Sequence, residues 1–343
     1  MRRCGLVMHP IFLEHDPGPG HPECPRRLEV IERVLEGKKL IEKTRRVEPR
    51  PATKEEIVRV HSPEYFERVM STRGRATALD PDTHTSEKSV EAALLAAGGL
   101  LELCRRVMAG ELDNGFALVR PPGHHAERAR AMGFCLFNNV ALAAEHARAA
   151  LGAQRVLVVD FDLHHGNGTM HSFWRRPDVL YFSTHQYPFY PGTGAVADIG
   201  EGEGEGYTVS VPLHRPMGDR EFRAIFRSLL TPVAEQFKPD LLLVSAGFDI
   251  YQGDPLGSMQ VTEEGFGDLA ADLLLLADRV CAGRLVLTLE GGYHVEGEAE
   301  GVAQVVRALL GERPARPAPD DAGAADAVIR AVQRALEKHW RFR

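Results

Sequence analysis

The stretch RVLVVDFDLHHGNG, residues 155–168, sets five apolar residues (Val156, Leu157, Val158, Val159 and Phe161) against two aspartates and two histidines. A continuous apolar run, rather than an alternating one, is the pattern of a strand covered on both faces of a parallel sheet. In open parallel α/β sheets the ligand sits beyond the carboxyl ends of the strands. The polar cluster therefore falls where chemistry is expected.

Six further short apolar runs read as strands: residues 5–8, 116–119, 179–183, 207–211, 241–245 and 285–289. Helical periodicity fills gaps between them, over residues 89–108, 140–151, 219–237 and 262–280. Strands alternating with helices predict a three-layer α/β fold, a mostly parallel central sheet with helices on both faces. A chain of 343 residues is long enough for one large unit of this kind. GEGEGEG at residues 200–206 precedes a strand instead of following one, so it reads as a flexible loop and not a phosphate cradle. Residues 313–323, RPARPAPDDAG, form a Pro/Ala linker, after which Val328, Val332, Leu336 and Trp340 recur at helical spacing. We therefore expect one domain over residues 1–312, and over 313–343 the linker and a helix that docks back on that domain.

Composition narrows the partners. The net charge is −7 and no long basic run occurs, which argues against nucleic acid. No window of apolar residues is long enough to span a membrane. The opening MRRCGLVMHP is too short in apolar length for a signal peptide, so the expected location is cytoplasmic. Five cysteines (Cys4, Cys24, Cys104, Cys135 and Cys281), odd in number and without a CxxC pair, fit reduced thiols.

Four predicted strands end in unusual punctuation: RPPGHHA, DLHHGNG, AGFD and EGGYH. Together they deliver His124, His125, Asp160, Asp162, His164, His165, Asp249 and Tyr293 to one edge of the sheet. On extended backbone Asp160, Asp162 and His164 would share a face. Asp162 and His164, with Asp249 from a neighbouring strand, then make three ligands with an open position, the pattern of a catalytic zinc site. Fe²⁺ suits such a donor set about as well. The competing reading is that Asp162 and His164 only cap or pair locally. Two carboxylates offset much of the metal's charge, so a separate general base is useful. His124 and His125 are the candidates, with Asp160 placed to orient one of them. Tyr293, after Gly291 and Gly292, could donate to an oxyanion.

RPPGHHA, MGFCLFNN, VDFDLHHGNGT, YPGTG, SAGFD and EGGYH, in this order, closely resemble the histone deacetylase superfamily, zinc amidohydrolases of arginase-like α/β fold. HPECPRRL at residues 21–28 leans toward the class II branch and its bacterial relatives. The resemblance spans about residues 1–310. It implies zinc on Asp162, His164 and Asp249, His125 as general base and acid, and His124 as its electrostatic partner oriented by Asp160. It implies that Tyr293 polarises the acetyl carbonyl, and that Gly133, Phe134 and Tyr190 wall an acyl-lysine channel. Arg27 matches the arginine of an acetate-release cavity, and Asp160, Asp162, His164, Ser183 and Thr184 match a structural K⁺ site. Asp82, in LDPDTHT, falls in a rim loop. Asn167 stands where class I members carry Asp; an amide accepts a hydrogen bond from His125 but does not stabilise imidazolium by charge.

These features imply a metal-dependent deacetylase acting on an N-acetylated primary amine. Acetyl-lysine in proteins and peptides is the leading substrate, with acetylpolyamines and other small acetylated amines as alternatives. In the polyamine-deacetylating relative of class II a glutamate reads the distal amine; the matching residue here is Leu256. An arginase-like ureohydrolase would need a second metal, for which the Gly-Asn after His165 offers no ligand. A non-catalytic acetyl-lysine reader would have lost a catalytic residue. A homo-oligomer is compatible with the sequence.

Overall fold

Ten strands form. In chain order they are β1 (Cys4–Val7), β2 (Arg45–Arg46), β3 (Thr77–Asp80), β4 (Thr83–Thr85), β5 (Asn114–Ala117), β6 (Val156–Asp160), β7 (Val179–Gln186), β8 (Thr208–Leu213), β9 (Leu241–Ala246) and β10 (Leu285–Leu289). The computed structural model describes residues 2–214, 216–317, 319 and 321–342. Eight strands make one sheet in the order β2-β1-β5-β10-β9-β6-β7-β8. Every pairing in it is parallel. Of the six inner strands, β1, β5, β6, β9 and β10 are buried along their whole length, which is why their sequences do not alternate.

Helices complete the three layers. Ser89–Met108 and Asn139–Ala150 pack together and on the strands, as do Glu263–Val280 and Val295–Leu309, with Arg26–Gly37 lying on the last of these. No helix among the described residues is long and apolar enough to cross a membrane.

Several expectations needed correction. The strand expected at residues 116–119 begins at Asn114, whose buried amide donates to Leu309 O (2.9 Å), so a polar residue opens a core strand. The helix expected over 219–237 is continuous only in path, because Phe226–Leu230 widens to a π turn. Pro232 has no N–H to offer the Ser228 carbonyl, which is approached instead by Gln333 Nε2 (3.4 Å). The antiparallel hairpin β3–β4 was not anticipated; its polar residues carry no apolar alternation. The GEGEGEG loop is held rather than free, with a 3₁₀ turn at Gly202–Gly204 and the Gly206 carbonyl accepting from the Trp340 indole (2.7 Å).

Helix Asp326–Leu336 packs on β8, burying Val328, Ile329, Val332 and Leu336. Trp340 lies beyond its end, edge-on to Tyr207 and Phe237. Residues 318 and 320 of the Pro/Ala stretch lie outside the described residues.

Candidate active site

The register of the sheet brings the site together. Asp160, the last residue of β6, is level with Ser183 on β7 and Ser245 on β9. The chain past β6 does not continue extended, so the expected shared face of Asp160, Asp162 and His164 arises differently. Residues 161–166 turn, and the aspartates fold the turn: Asp162 N–H donates to Asp160 Oδ1 (3.1 Å) and His164 N–H to Asp162 Oδ1 (2.9 Å). Asp249 enters from the loop after β9, its Oδ1 accepting from Leu163 N–H (2.8 Å). Gly291 N–H, just past β10, donates to Asp162 Oδ2 (2.9 Å). A Cβ at Gly291 would collide with both carboxylates, so only glycine lets this strand end approach so closely.

The result is a buried triad. His164 Nδ1 stands 3.1 Å from Asp162 Oδ1 and 3.1 Å from Asp249 Oδ2. One donor atom from each of the three lies within 4.8 Å of the others. Burial and the neighbouring Asp162 push the Asp249 carboxyl up to about 7. Burial opposes a charge on His164, but the two carboxylates outweigh it and push the imidazole up to about 9. Two buried carboxylates aimed at one imidazole nitrogen are a poor arrangement without a cation. As a donor set, two oxygens and one nitrogen fit Zn²⁺ or Fe²⁺.

Beside the triad lie the two histidines, ring centroids 4.0 Å apart. His124 Nδ1 contacts Asp160 Oδ2 (3.1 Å), which also accepts from Tyr181 OH (2.9 Å). Burial opposes its charge, yet Asp162 and Asp160 together push His124 up to about 10. His125 behaves oppositely: burial, then the positive His124 and His164, hold it well below the ordinary value. Its Nδ1 faces Asn167 Oδ1 (2.8 Å). The two neighbours are thus pushed in opposite directions, His124 up and His125 down.

A cavity of about 120 Å³ opens onto this group, and His124, His125, His164 and Tyr293 all line it. Gly133, Phe134, Tyr190 and Leu256 also line it, together with Asp82, Pro122 and Gly291. Gly133 has φ +57°, and a Cβ there would strike the His125 ring. The β3–β4 hairpin tip holds this wall: Gly133 N–H donates to Asp82 Oδ1 (3.1 Å) and Phe134 N–H to Thr83 Oγ1 (3.0 Å). Asp82 thereby gains a definite structural place at the rim. Tyr190 meets the His125 ring edge-on at 5.1 Å.

Arg27, Ser183 and Thr184, expected outside this channel, are not among its lining residues. Arg27 is fully buried, bound to Glu298, Glu23 and the Glu290 carbonyl, with its guanidinium 5.2 Å from the Tyr293 ring centre. Ser183 Oγ sits 2.9 Å from His185 Nδ1, and the buried Thr184 Oγ1 has no hydrogen-bond partner.

Sequence reasoning missed the acids that hold the site. Glu290 Oε2 accepts from Gly123 N–H (2.7 Å) and His124 N–H (3.2 Å), and its Oε1 accepts from Ser245 OH (2.8 Å). Glu23 pairs with Arg120, and both are fully buried. Glu290 and Arg120 each follow a predicted strand closely, and a charged residue at a core strand's end was the available signal. Glu127, whose Oε1 accepts from Asn167 Nδ2, carried no such mark.

An eight-stranded parallel sheet with an Asp-His-Asp triad and a flanking histidine pair at its carboxyl edge defines an arginase-like α/β enzyme. The histone deacetylase domain matches residues 21–309. The chain is 42% identical over 310 residues to histone deacetylase 14, chloroplastic, of Arabidopsis thaliana, covering 85% of this chain and 73% of that one. It is 42% identical to the polyamine deacetylase HDAC10 of Mus musculus, over 93% of this chain but only 49% of the mouse protein. The crystal structure of the HDA15 HD domain superposes with a TM-score of 0.92 at 37% identity, covering 99% of this chain and 95% of that one. This chain belongs to the histone deacetylase family, hydrolases of acetyl-amide bonds.

Proposed function

We propose that the chain hydrolyses the acetyl amide of acetyl-lysine in proteins or peptides, as a class II-like deacetylase. The observation that carries this reading is convergence: His164 of the triad, His125 and the Tyr293 phenol line one narrow cavity, with Asp162 and Asp249 against His164 behind it. Asp162, His164 and Asp249 would hold Zn²⁺, which when bound supplies Lewis-acid polarisation of the acetyl carbonyl and acidifies a water. His125 is the base: Asn167 engages Nδ1, leaving Nε2 to take the proton of the attacking water. The Tyr293 hydroxyl donates to the carbonyl oxygen as negative charge builds on it. His124, held positive by Asp160 and Asp162, adds a fixed field beside that charge. His125 then returns its proton to the leaving amine, and acetate departs. Burial holds the Tyr293 phenol well above its ordinary value, so it stays protonated for this task.

We assign the Asp160–His164 turn with Ser183 and Thr184 as a structural K⁺ site; the unpartnered Thr184 Oγ1 supports a cation there. Five free cysteines support work in a reducing compartment such as the cytoplasm.

At the rim Leu256 offers no charge to a polyammonium chain. Asp254 is occupied with the backbone N–H groups of Leu256, Tyr293 and His294. Both favour acetyl-lysine over an acetylated polyamine. A panel of acetyl-lysine peptides, acetylspermidine and short acyl amides tests this with metal-loaded protein. Acetyl-lysine should give the highest kcat/KM, and Leu256→Glu should move the ratio toward acetylspermidine by about 10-fold, or about 1.4 kcal/mol. A wild-type enzyme strongly preferring acetylspermidine would overturn the substrate assignment.

A further inference from the structure

The catalytic base leans on an amide, and an amide has two faces. Asn167 Oδ1 accepts a hydrogen bond, whereas Nδ2 donates one. Rotated by half a turn, the same side chain would present N–H to His125 Nδ1. The imidazole proton would then have to sit on Nε2, the nitrogen that must be free to act as base. Something must set the amide's orientation.

The structure contains a group suited to that task. Asn167 Nδ2 is 2.5 Å from Glu127 Oε1, with Met132 Sδ at 3.4 Å on the same side. An ionised carboxylate accepts only, so it tolerates the N–H end of the amide and rejects the oxygen end. The Glu127 backbone is tied on both sides: its N–H donates to Arg130 O (2.9 Å), and its carbonyl accepts from His61 Nδ1 (2.9 Å). The carboxylate also takes His171 Nδ1 at 2.7 and 3.0 Å. His171 lies one turn beyond Asn167 on helix Asn167–Phe173, so Glu127 clamps positions i and i+4 of one helix face. Glu127 and His171 border a second, polar cleft of about 260 Å³ that shares no lining residue with the channel.

We propose that Glu127 is a positioning residue for deacetylation. It fixes the Asn167 amide so that its oxygen faces His125 and the imidazole proton stays on Nδ1. The proposal rests on the deacetylase reading above and extends it to a side chain that touches neither substrate nor metal ligands.

The test uses the metal-loaded full chain and two readouts. The first is kinetic, on an acetyl-lysine peptide. Glu127→Ala should lower kcat about 10- to 100-fold with KM unchanged, the range seen when a group orienting a functional imidazole is lost. Glu127→Gln keeps an oxygen that can accept from Asn167, so it should restore most of kcat. In an Asn167→Asp background both faces of residue 167 accept and no orientation is needed. There the Glu127 carboxylate only repels residue 167, so Glu127→Ala should not lower kcat, a non-additivity that general damage to the fold would not produce. The second readout is ¹⁵N NMR of the His125 ring. The wild type should carry the Nδ1–H tautomer, and Glu127→Ala a mixture with Nε2–H. An unchanged tautomer in Glu127→Ala overturns the proposal, as does a Glu127→Gln variant as impaired as Glu127→Ala. Equal losses in both backgrounds also overturn it. If the wild type hydrolyses no acetyl amide, the deacetylase reading fails, and the tautomer comparison still decides the role of Glu127.

Discussion

The Asp254 carboxylate accepts the backbone N–H of Tyr293 at 2.8 Å through Oδ2 and that of Leu256 at 2.9 Å through Oδ1. One side chain thus ties the loop carrying the oxyanion donor to the loop carrying the channel rim. Asp254→Ala would leave these N–H groups without their acceptor, at about 1–3 kcal/mol. We expect a lower Tm and a kcat reduced at least 10-fold, more than the fall in metal content explains. Thermal unfolding, metal analysis and steady-state kinetics on one preparation check this.

In the proposed mechanism Tyr293 donates only where charge develops, so its loss should fall on kcat. Tyr293→Phe should lower kcat by about 10²–10³, the scale of one lost oxyanion donor, while substrate Kd changes little. Single-turnover rates with separate equilibrium binding distinguish the two effects.

Asp249 offers one of the three proposed metal donors, from a strand end separate from the other two. Asp249→Ala should retain far less than one metal ion per chain after dialysis, measured by atomic emission. Full occupancy with normal turnover would remove Asp249 from the ligand set.

His61 gives a stability prediction with a definite sign. It is buried between Glu127 O, to which Nδ1–H donates, and Asn138 N–H, which donates to Nε2. Burial lowers its pKa to about 4. The folded state therefore resists a proton that the unfolded chain accepts near pH 6.5. This stability is complete above the unfolded value and is lost as pH falls from about 6.5 to 4. The gap corresponds to about 3 kcal/mol. Urea unfolding at pH 7.5 and 4.5 should register that loss, and His61→Gln should show a shallower dependence.

The sheet's inner strands were legible because residues such as Val156–Val159 and Leu241–Val244 are apolar without interruption, as double coverage demands. The metal triad and histidine pair were legible because each follows such a strand directly. The β3–β4 hairpin was not, since Thr77, Thr83 and Thr85 mark no periodicity. The i, i+2, i+4 argument for Asp160, Asp162 and His164 assumed an extended chain, which ends at Asp160. Their carboxylates bend the chain into a turn and end the strand. Glu127, Asp254 and Glu290 act through contacts distant in sequence, at separations of 40, 39 and 167 residues. Local patterning cannot register such pairs, although Glu290 was marked as a charge at the end of a core strand.

The central claim is that His125 drives hydrolysis of an acetylated amine from inside the channel. The most direct measurement is acetate release from an acetyl-lysine peptide by metal-loaded wild type and His125→Ala at matched metal content. The account predicts steady turnover by the wild type and a kcat at least about 10²-fold lower in the variant, since one residue supplies both base and acid. Equal rates in the two proteins, with metal bound in both, would contradict it.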